Sequence, residues 1–425
     1  MRVGRGPHTV RWTPAAVVLM SFAIAWLPWS RDSEPRFVPP CSSVHVAAGR
    51  RGTDEIAGPE PSQEQQGRGG LLLTVGTAKA LFRFRSDGRR RWTALGPVLA
   101  GSAIYTNAYN RDSETLLAAV NNEFYGHSLR RSRDLGETWD TGGAGLEYGP
   151  DDPEKVTRVW SIRPVSASLI YAGVEASGLF RSNDGGDTWS EVASLRRHPT
   201  HATWGAGAGG ACLHTIVPDP FNPSPLFTAC STGGCYRSDD GGETWRPANR
   251  NIQEDYMPEG EQFRESGQCV HRIALTPARE ARAWLQHHGG VYRSDDGGDT
   301  WNRVGKSLPD DFGFGIVAHP RDADQAFVIP LVSSGPMPRW APDNNLRVHR
   351  TRDAGATWEA LGPGLPDGAF SGVLRDAFTS DDEEVLGLYF GTTTGDLYAS
   401  ADGGEHWTEV ARHLPRILSV AAAPI

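Results

Sequence analysis

The sequence is poor in cysteine, has no excess of positive charge and lacks an apolar run of about 20 residues, the length that a membrane-spanning helix needs. The cysteines are too few and odd in number for a disulfide framework. They are Cys41, Cys212, Cys230, Cys235 and Cys269. The short turn between Cys230 and Cys235 would allow a disulfide across the strand pair, although a strained one. We expect free thiols instead. The net charge of −9 argues against a nucleic acid or an anionic membrane as partner.

Glycine, proline and tryptophan are abundant instead, with 50, 30 and 14 residues. This composition is typical of many short strands joined by tight turns, and it does not suggest helices. We therefore expect an all-β fold.

Residues 1–70 differ from the rest of the chain. Three arginines precede an apolar run over residues 15–27, which is the pattern of a signal peptide or short anchor. The polar, unpatterned stretch that follows predicts a disordered linker. We therefore expect an exported or membrane-tethered protein. The alternative is a cytoplasmic protein whose true start lies near Leu71.

One motif recurs through the remainder of the chain, Ser-x-Asp-x-Gly-x-Thr-Trp. Clear copies lie at 132–139, 182–189, 238–245 and 294–301, and weaker copies at 351–358 and 400–407. A degenerate copy keeps only Asp87, Gly88 and Trp92. Successive motif aspartates are 47 to 57 residues apart, the length of one four-stranded blade. They are Asp87, Asp134, Asp184, Asp240, Asp296, Asp353 and Asp402.

The motif is expected to be structural. Its carboxylate can accept N–H groups of its own turn, its glycines supply positive φ, and its tryptophan can pack between sheets. The acidic turns also look like calcium loops, but the structural role is the favoured interpretation.

Each repeat has the same strand order, which we label A to D, with A lining a central channel. Residues 71–95 provide only B, C and D, and the missing A strand is found at 417–423. A C-terminal strand that completes the first blade would remove the open edges of the ring. The sequence therefore predicts one domain over 71–425, a seven-bladed β-propeller.

The motif and its spacing resemble the BNR/Asp-box propeller proteins. Stretches at 206–215, 267–271, 311–320 and 389–395 are similar to bacterial WD40/YVTN/BNR-like repeat proteins, which are often labelled sialidase-like or glycosyl hydrolase. The resemblance implies a propeller and leaves the chemistry open, because the Asp box occurs in proteins that share no activity.

The D–A loops are long at 194–211, 250–268 and 306–313, and they share one rim with the B–C turns. Long loops in a compact domain are often functional. Two neighbouring A strands carry Cys212 and His214, and Cys269 and His271, with His288 on the adjacent B–C turn. One hypothesis is a site for Zn²⁺ or another transition metal. The alternative, which we favour, is that these side chains only line a channel.

Other candidates for ligand binding are Arg375 and Asp376, which are charges on the A strand of the seventh blade. Trp160, with Tyr105, takes the place of His214 in earlier blades. Together with Trp204 and Trp340, it could provide rings on which sugars stack. His214, His271 and His288 complete the candidate set.

Two functions remain open. The favoured hypothesis is a monomeric propeller that binds a glycan, small molecule or protein of unknown identity on its loop face. The alternative is a sialidase-like exo-glycosidase, although no arginine triad can be assembled from the sequence. Xyloglucanases with two propellers also use Asp boxes but are larger than this chain. A close carboxylate pair would favour a glycosidase.

Overall fold

The computed structural model describes residues 70–425, except residues 123, 208, 256 and 334–338. The predicted signal segment and linker, together with Cys41, lie outside the described residues, which begin at Gly70.

The described chain is built from short strands. They are β1 (Leu71–Thr77), β2 (Leu81–Ser86), β3 (Thr93–Val98), β4 (Ala103–Asn110), β5 (Thr115–Asn122), β6 (Gly126–Ser132), β7 (Asp140–Gly142), β8 (Val159–Pro164), β9 (Ile170–Val174), β10 (Leu179–Ser182), β11 (Ser190–Glu191), β12 (Leu213–Pro218), β13 (Leu226–Cys230), β14 (Gly234–Ser238), β15 (Arg246–Pro247), β16 (Val270–Leu275), β17 (Ala283–His287), β18 (Gly290–Ser294), β19 (Asn302–Arg303), β20 (Ile316–Ala318), β21 (Ala326–Val328), β22 (Val348–Thr351), β23 (Glu359–Leu361), β24 (Val373–Ser380), β25 (Leu388–Thr392), β26 (Leu397–Ser400), β27 (Thr408–Ala411) and β28 (Ile417–Pro424).

Consecutive strands pair antiparallel in small sheets. The groups β4–β7, β8–β11, β12–β15, β16–β19 and β20–β23 each form a four-stranded sheet. A larger sheet has the order β27-β26-β25-β24-β28-β1-β2-β3. In it the C-terminal strand β28 pairs antiparallel with β1 along its whole length, from Leu71 to Thr77. The C-terminal end of the chain therefore completes the sheet that its first strands begin, as the repeat order predicts.

The core lies between neighbouring sheets. Trp301 is 1% exposed and packs with Phe227 of β13 and Tyr292 of β18. Its indole N–H donates to the carbonyl of Ala248, at 2.8 Å. Because Ala248 and Phe227 belong to the preceding repeat, one aromatic side chain ties two sheets together.

The Asp-box turns repeat one set of hydrogen bonds. In each, the backbone N–H four residues after the aspartate donates to its Oδ1 at 2.9 Å. The preceding Ser or Thr hydroxyl accepts the N–H of the second turn glycine or its equivalent at 2.7–2.9 Å. This describes the turns of Asp134, Asp184, Asp240, Asp296, Asp353 and Asp402. The carboxylates therefore satisfy donors of their own turns. The degenerate turn differs, since Asp87 is exposed and its Oδ1 lies 3.6 Å from Arg85 Nε.

The structure differs from the sequence expectation in one respect, because the connections include short helices. A single helical turn spans Ala193–Arg196, and 3-10 turns span Pro199–Thr203 and Pro342–Asn344. They lie in connections, where local backbone hydrogen bonds suffice for one turn. Among the described residues, no helix is long and apolar enough to cross a bilayer.

The four described cysteines are free thiols. Cys235 lies opposite Ala229 rather than Cys230 in the β13–β14 pair. Both thiols are buried, and burial raises the pKa of each.

Candidate functional site

The two faces of the described sheets carry different connections, because successive strands run in opposite directions. On one face the Asp-box turns meet the A–B loops, for example through the N–H of Gly241 donating to the carbonyl of Ser224 at 2.9 Å. On the other, the D–A loops meet the B–C turns, as where the N–H of Gly267 donates to the carbonyl of Gly233 at 2.9 Å. We call these the Asp-box face and the loop face.

The A strands line a polar cavity of about 530 Å³. Strands β4, β8, β12, β16, β20, β24 and β28 all contribute to its wall. Arg163 faces this cavity, and Arg272 beside it forms an ion pair with Asp376 of β24. The centre of the ring is therefore a water-accessible channel with charged walls.

A β-bulge interrupts several A strands near the loop face, and the candidate residues occupy these bulges. Register shifts fall between Ile104 and Asn107, Val159 and Ser161, Leu213 and Thr215, and Val270 and Arg272. The residues within them include Tyr105, Trp160, His214 and His271. A bulge re-aims a side chain relative to its strand. The sequence pattern located the residues but gave no sign of the bulges.

Trp160 forms a compact group with charged neighbours. Its ring meets Tyr105 edge-on, with centroids 4.8 Å apart. The guanidinium of Arg158 lies 4.7 Å from the Tyr105 ring centroid and pairs with Glu175 at 3.3 Å. The indole N–H of Trp160 donates to the same carboxylate at 3.2 Å. The group offers partly exposed aromatic surface beside a fixed cation and carboxylate.

The other candidate tryptophans are not joined to this group by any ring contact among the described residues. Trp204 packs against His201 and Tyr236, and its N–H donates to the Tyr236 hydroxyl at 2.9 Å. Trp204 is therefore held by its own loop through His201 and by strand β14 through Tyr236. Trp340 is 40% exposed and stacks edge-on with Phe370, at 6.0 Å. Instead of the single aromatic lining expected from the sequence, Trp160 and Trp204 are partly buried in separate groups, and only Trp340 is exposed.

Cys269, His271 and His288 converge. One potential ligand atom from each lies within 4.8 Å of the others. The Sγ of Cys269 is 3.5 Å from Nε2 of His271, whose Nδ1 contacts the carbonyl of Gly313 at 2.6 Å. Burial lowers the pKa of His271 well below its usual value, an effect strengthened by Arg375. The imidazole of His271 is therefore neutral at neutral pH.

Cys212 and His214 occupy equivalent positions on the neighbouring strand but are not part of this group, contrary to the hypothesis of a five-residue site. The thiol of Cys212 lies 3.0 Å from the Ser231 hydroxyl. Nδ1 of His214 lies 3.0 Å from the Thr215 hydroxyl, and its Nε2 is buried without a hydrogen-bond partner. The B–C turn beside them carries Ser231 and Thr232 instead of a histidine, so no second imidazole joins Cys212 and His214 among the described residues.

Arg375 and Asp376 have separate environments. The guanidinium of Arg375 lies 5.2 Å from the Phe314 ring, which itself packs against His271. Asp376 points into the channel and pairs with Arg272. Arg375 therefore lies beside the group of Cys269, His271 and His288, whereas Asp376 belongs to the channel wall.

Several residues around these groups could not be found from the sequence. Glu175 lies at the end of a B strand, and Arg158 precedes an A strand without any motif. Glu254 is fully buried within a D–A loop, where its Oε1 accepts the N–H of Cys269 at 2.9 Å. Only tertiary contacts reveal these residues, although a buried glutamate is unusual enough to mark a special environment once burial is known.

The model of the BNR/Asp-box repeat matches residues 236–247, which include the Asp240 turn. The chain is similar to a xyloglucanase of Paenibacillus sp., with 24% identity over 308 residues that cover 68% of this chain and 27% of the relative. It is also similar to a xyloglucanase of Hypocrea jecorina, with 24% identity over 338 residues, 66% of this chain and 36% of that protein. The chain thus spans roughly a quarter to a third of the length of these curated relatives.

Solved structures show the same fold. An ancestral GH74 enzyme aligns with a TM-score of 0.50 at 15% identity, over 83% of this chain and 40% of the other. A putative 6-phosphogluconolactonase from Bacteroides uniformis aligns with a TM-score of 0.51 at 11% identity, over 84% and 100% of the two chains. The protein is an all-β propeller with BNR/Asp-box repeats, as the sequence resemblance predicted.

Proposed function

We propose that this chain is a seven-bladed propeller that acts on a glycan at its loop face, as a glycoside hydrolase directed at xyloglucan-like β-glucans. The observation that carries the proposal is the similarity to xyloglucanases over about two thirds of the chain. It favours the glycosidase alternative over a binding protein of unknown specificity.

A division of the largest sheet into two blades supports the proposed count of seven. Its two halves, β24–β27 and β28 with β1–β3, are joined by one parallel pair, Asp376 with Ser419. Two A strands meet side by side there, as the innermost strands of adjacent blades do in a narrow ring. If the two halves are counted as separate blades, they and the five four-stranded sheets would make seven.

The glycan would lie across the Trp160 group. Sugar rings present apolar faces that stack on aromatic side chains, and their hydroxyls need donors and acceptors beside them. Tyr105 and Trp160 supply the rings, and Arg158 and Glu175 supply the polar partners. The exposed pair Trp340 and Phe370 would extend the surface for a longer chain.

Glu175 is the carboxylate that we propose for proton transfer, because it is the acidic side chain in direct contact with the aromatic group.

The test is to incubate the purified full chain with xyloglucan, with cello-oligosaccharides and with sialyllactose, and to measure new reducing ends and released sialic acid. We expect reducing ends from xyloglucan only. The Glu175→Gln variant should lose hydrolysis and retain binding in isothermal titration, whereas Trp160→Ala should weaken binding.

The proposal fails if the folded protein neither cleaves nor binds xyloglucan. Release of sialic acid would instead restore the sialidase-like alternative. Binding without hydrolysis by the wild-type chain would reduce the function to glycan recognition and remove the catalytic role of Glu175.

A further inference from the structure

We propose that Cys269, His271 and His288 form a binding site for one Zn²⁺ ion at the loop face. The proposal is independent of the glycan function. It rests on the convergence of one thiol and two imidazoles from different elements, the start of β16 and the turn after β17.

The spacing suits a tetrahedral zinc ion. With Zn–S near 2.3 Å and Zn–N near 2.0–2.1 Å, tetrahedral ligand atoms lie roughly 3.3–3.6 Å apart. The Sγ of Cys269 and the Nε2 of His271 are 3.5 Å apart. The ligand atoms of all three side chains lie within 4.8 Å of one another, so the nitrogen of His288 would need to move closer to complete the tetrahedral set.

The orientation of His271 is fixed in the way that metal ligands require. A carbonyl oxygen can only accept a hydrogen bond, so the contact with Gly313 places the proton of the neutral imidazole on Nδ1. Nε2 therefore presents its lone pair toward Cys269. Histidine ligands of metals commonly donate their second N–H to a carbonyl or carboxylate in this manner.

The surroundings of the group include a negative charge that would favour a cation. The carboxylate of Glu254 accepts the N–H of Cys269, which places a negative charge beside the group. An ion would itself deprotonate the thiol on binding.

Aromatic rings close one side of the site. The ring centroid of Phe312 lies 5.3 Å from that of His271 and 5.0 Å from that of His288. The ring centroid of Phe314 lies 4.9 Å from that of His271. Three protein ligands leave one zinc position for water or a ligand atom, as in sites where zinc takes part in chemistry.

The neighbouring strand provides a matched control. Cys212 is a buried thiol at the equivalent position, beside His214, yet its Sγ contacts the Ser231 hydroxyl and it is not part of the group. Replacing either cysteine removes one thiol from the start of an A strand, but only the replacement of Cys269 would remove a ligand.

The experiment uses the tag-free full chain, stripped with a chelator and then titrated with Zn²⁺ against a fluorescent zinc indicator. Co²⁺ is added in parallel to detect thiolate-to-cobalt charge-transfer absorption. We expect one Zn²⁺ per chain and the charge-transfer band for wild type and Cys212→Ser. Cys269→Ser and His271→Gln should bind at least tenfold more weakly, and Cys269→Ser should lose the band.

Circular dichroism and thermal unfolding establish that each variant is folded. If Cys269→Ser fails to fold, the band in wild type and its persistence in Cys212→Ser still decide the question. The proposal is overturned if wild type binds neither ion stoichiometrically, or if Cys212→Ser loses the band while Cys269→Ser keeps it.

Discussion

The two faces of the propeller are made by the same strands, yet they differ in how far each repeat resembles the next. On the Asp-box face, successive turns make the same hydrogen bonds at nearly the same distances. On the loop face, the connection between β11 and β12 contains helical turns at Ala193–Arg196 and Pro199–Thr203. Local turn chemistry therefore sets the first face, and long-range packing sets the second.

The strands that begin at Leu213 and Val270 show the same contrast between local sequence and long-range packing. Each is preceded by a cysteine and carries a histidine in a bulge. Only the second pair meets another histidine, because His288 follows its B strand where the first sheet has Ser231. The same two residues in the same register therefore have different surroundings according to the turn beside them.

The largest expected loss of stability comes from replacing a buried tryptophan of the repeated Asp-box motif. Trp301→Ala should lower the free energy of unfolding by about 3–5 kcal/mol, because it empties a buried site between two sheets. Chemical denaturation followed by fluorescence measures the change. Trp340→Ala, on an exposed ring, is the control and should cost less than about 1 kcal/mol. Equal losses would contradict the assignment of these tryptophans to core and surface.

The next effect concerns binding at the loop face. Trp160→Ala should weaken xyloglucan-oligosaccharide binding about tenfold, or about 1.4 kcal/mol, through loss of stacking surface. Trp160→Phe keeps a ring and should lose less. Isothermal titration measures both, and an unchanged affinity in the alanine variant would place the glycan elsewhere.

A pH effect is expected from the Asp-box face. Hydrogen bonds from Thr138, Thr188 and Thr244 lower the pKa of Asp134, Asp184 and Asp240 to about 2. A carboxyl whose pKa is lower in the folded state stabilises the fold above its unfolded pKa, near 4, and loses that contribution as the pH falls toward 2. The melting temperature should therefore drop between pH 4 and pH 2. A melting temperature that stays constant across this window would contradict the turn geometry.

The smallest effect is expected at the degenerate motif. Asp87 is exposed and has no N–H donor from its own turn among its hydrogen bonds in the described structure. Asp87→Asn should change the free energy of unfolding by no more than about 0.5 kcal/mol. Asp240→Asn should lower the free energy of unfolding by a larger amount, because Asp240 accepts two hydrogen bonds from Thr244. Chemical denaturation measures both variants. A larger effect at Asp87 than at Asp240 would reverse the ranking of the two turns.

Much of the fold was predictable because its signals are local. The Asp-box spacing located the turns, and the missing strand of the first sheet was found correctly at the C-terminal end. The loop-face site was predictable only as a list of candidates. Cys269, His271 and His288 were named together with Cys212 and His214, since periodicity gives the side of a strand but not the neighbour across the channel mouth.

The remaining residues were missed for a physical reason. Glu175, Arg158 and Glu254 acquire their environment from partners in other elements, and the bulges that aim Trp160 and His271 depend on pairing register. None of these features follows from residue type and spacing along one strand.

The most direct test of a functional loop face is hydrogen–deuterium exchange of the full chain with and without a xyloglucan oligosaccharide. We predict slower exchange around Arg158, Trp160 and Glu175, where the glycan is proposed to lie, with no change in the Asp-box turns. Protection confined to the Asp-box turns, or no protection at saturating oligosaccharide, would contradict the account.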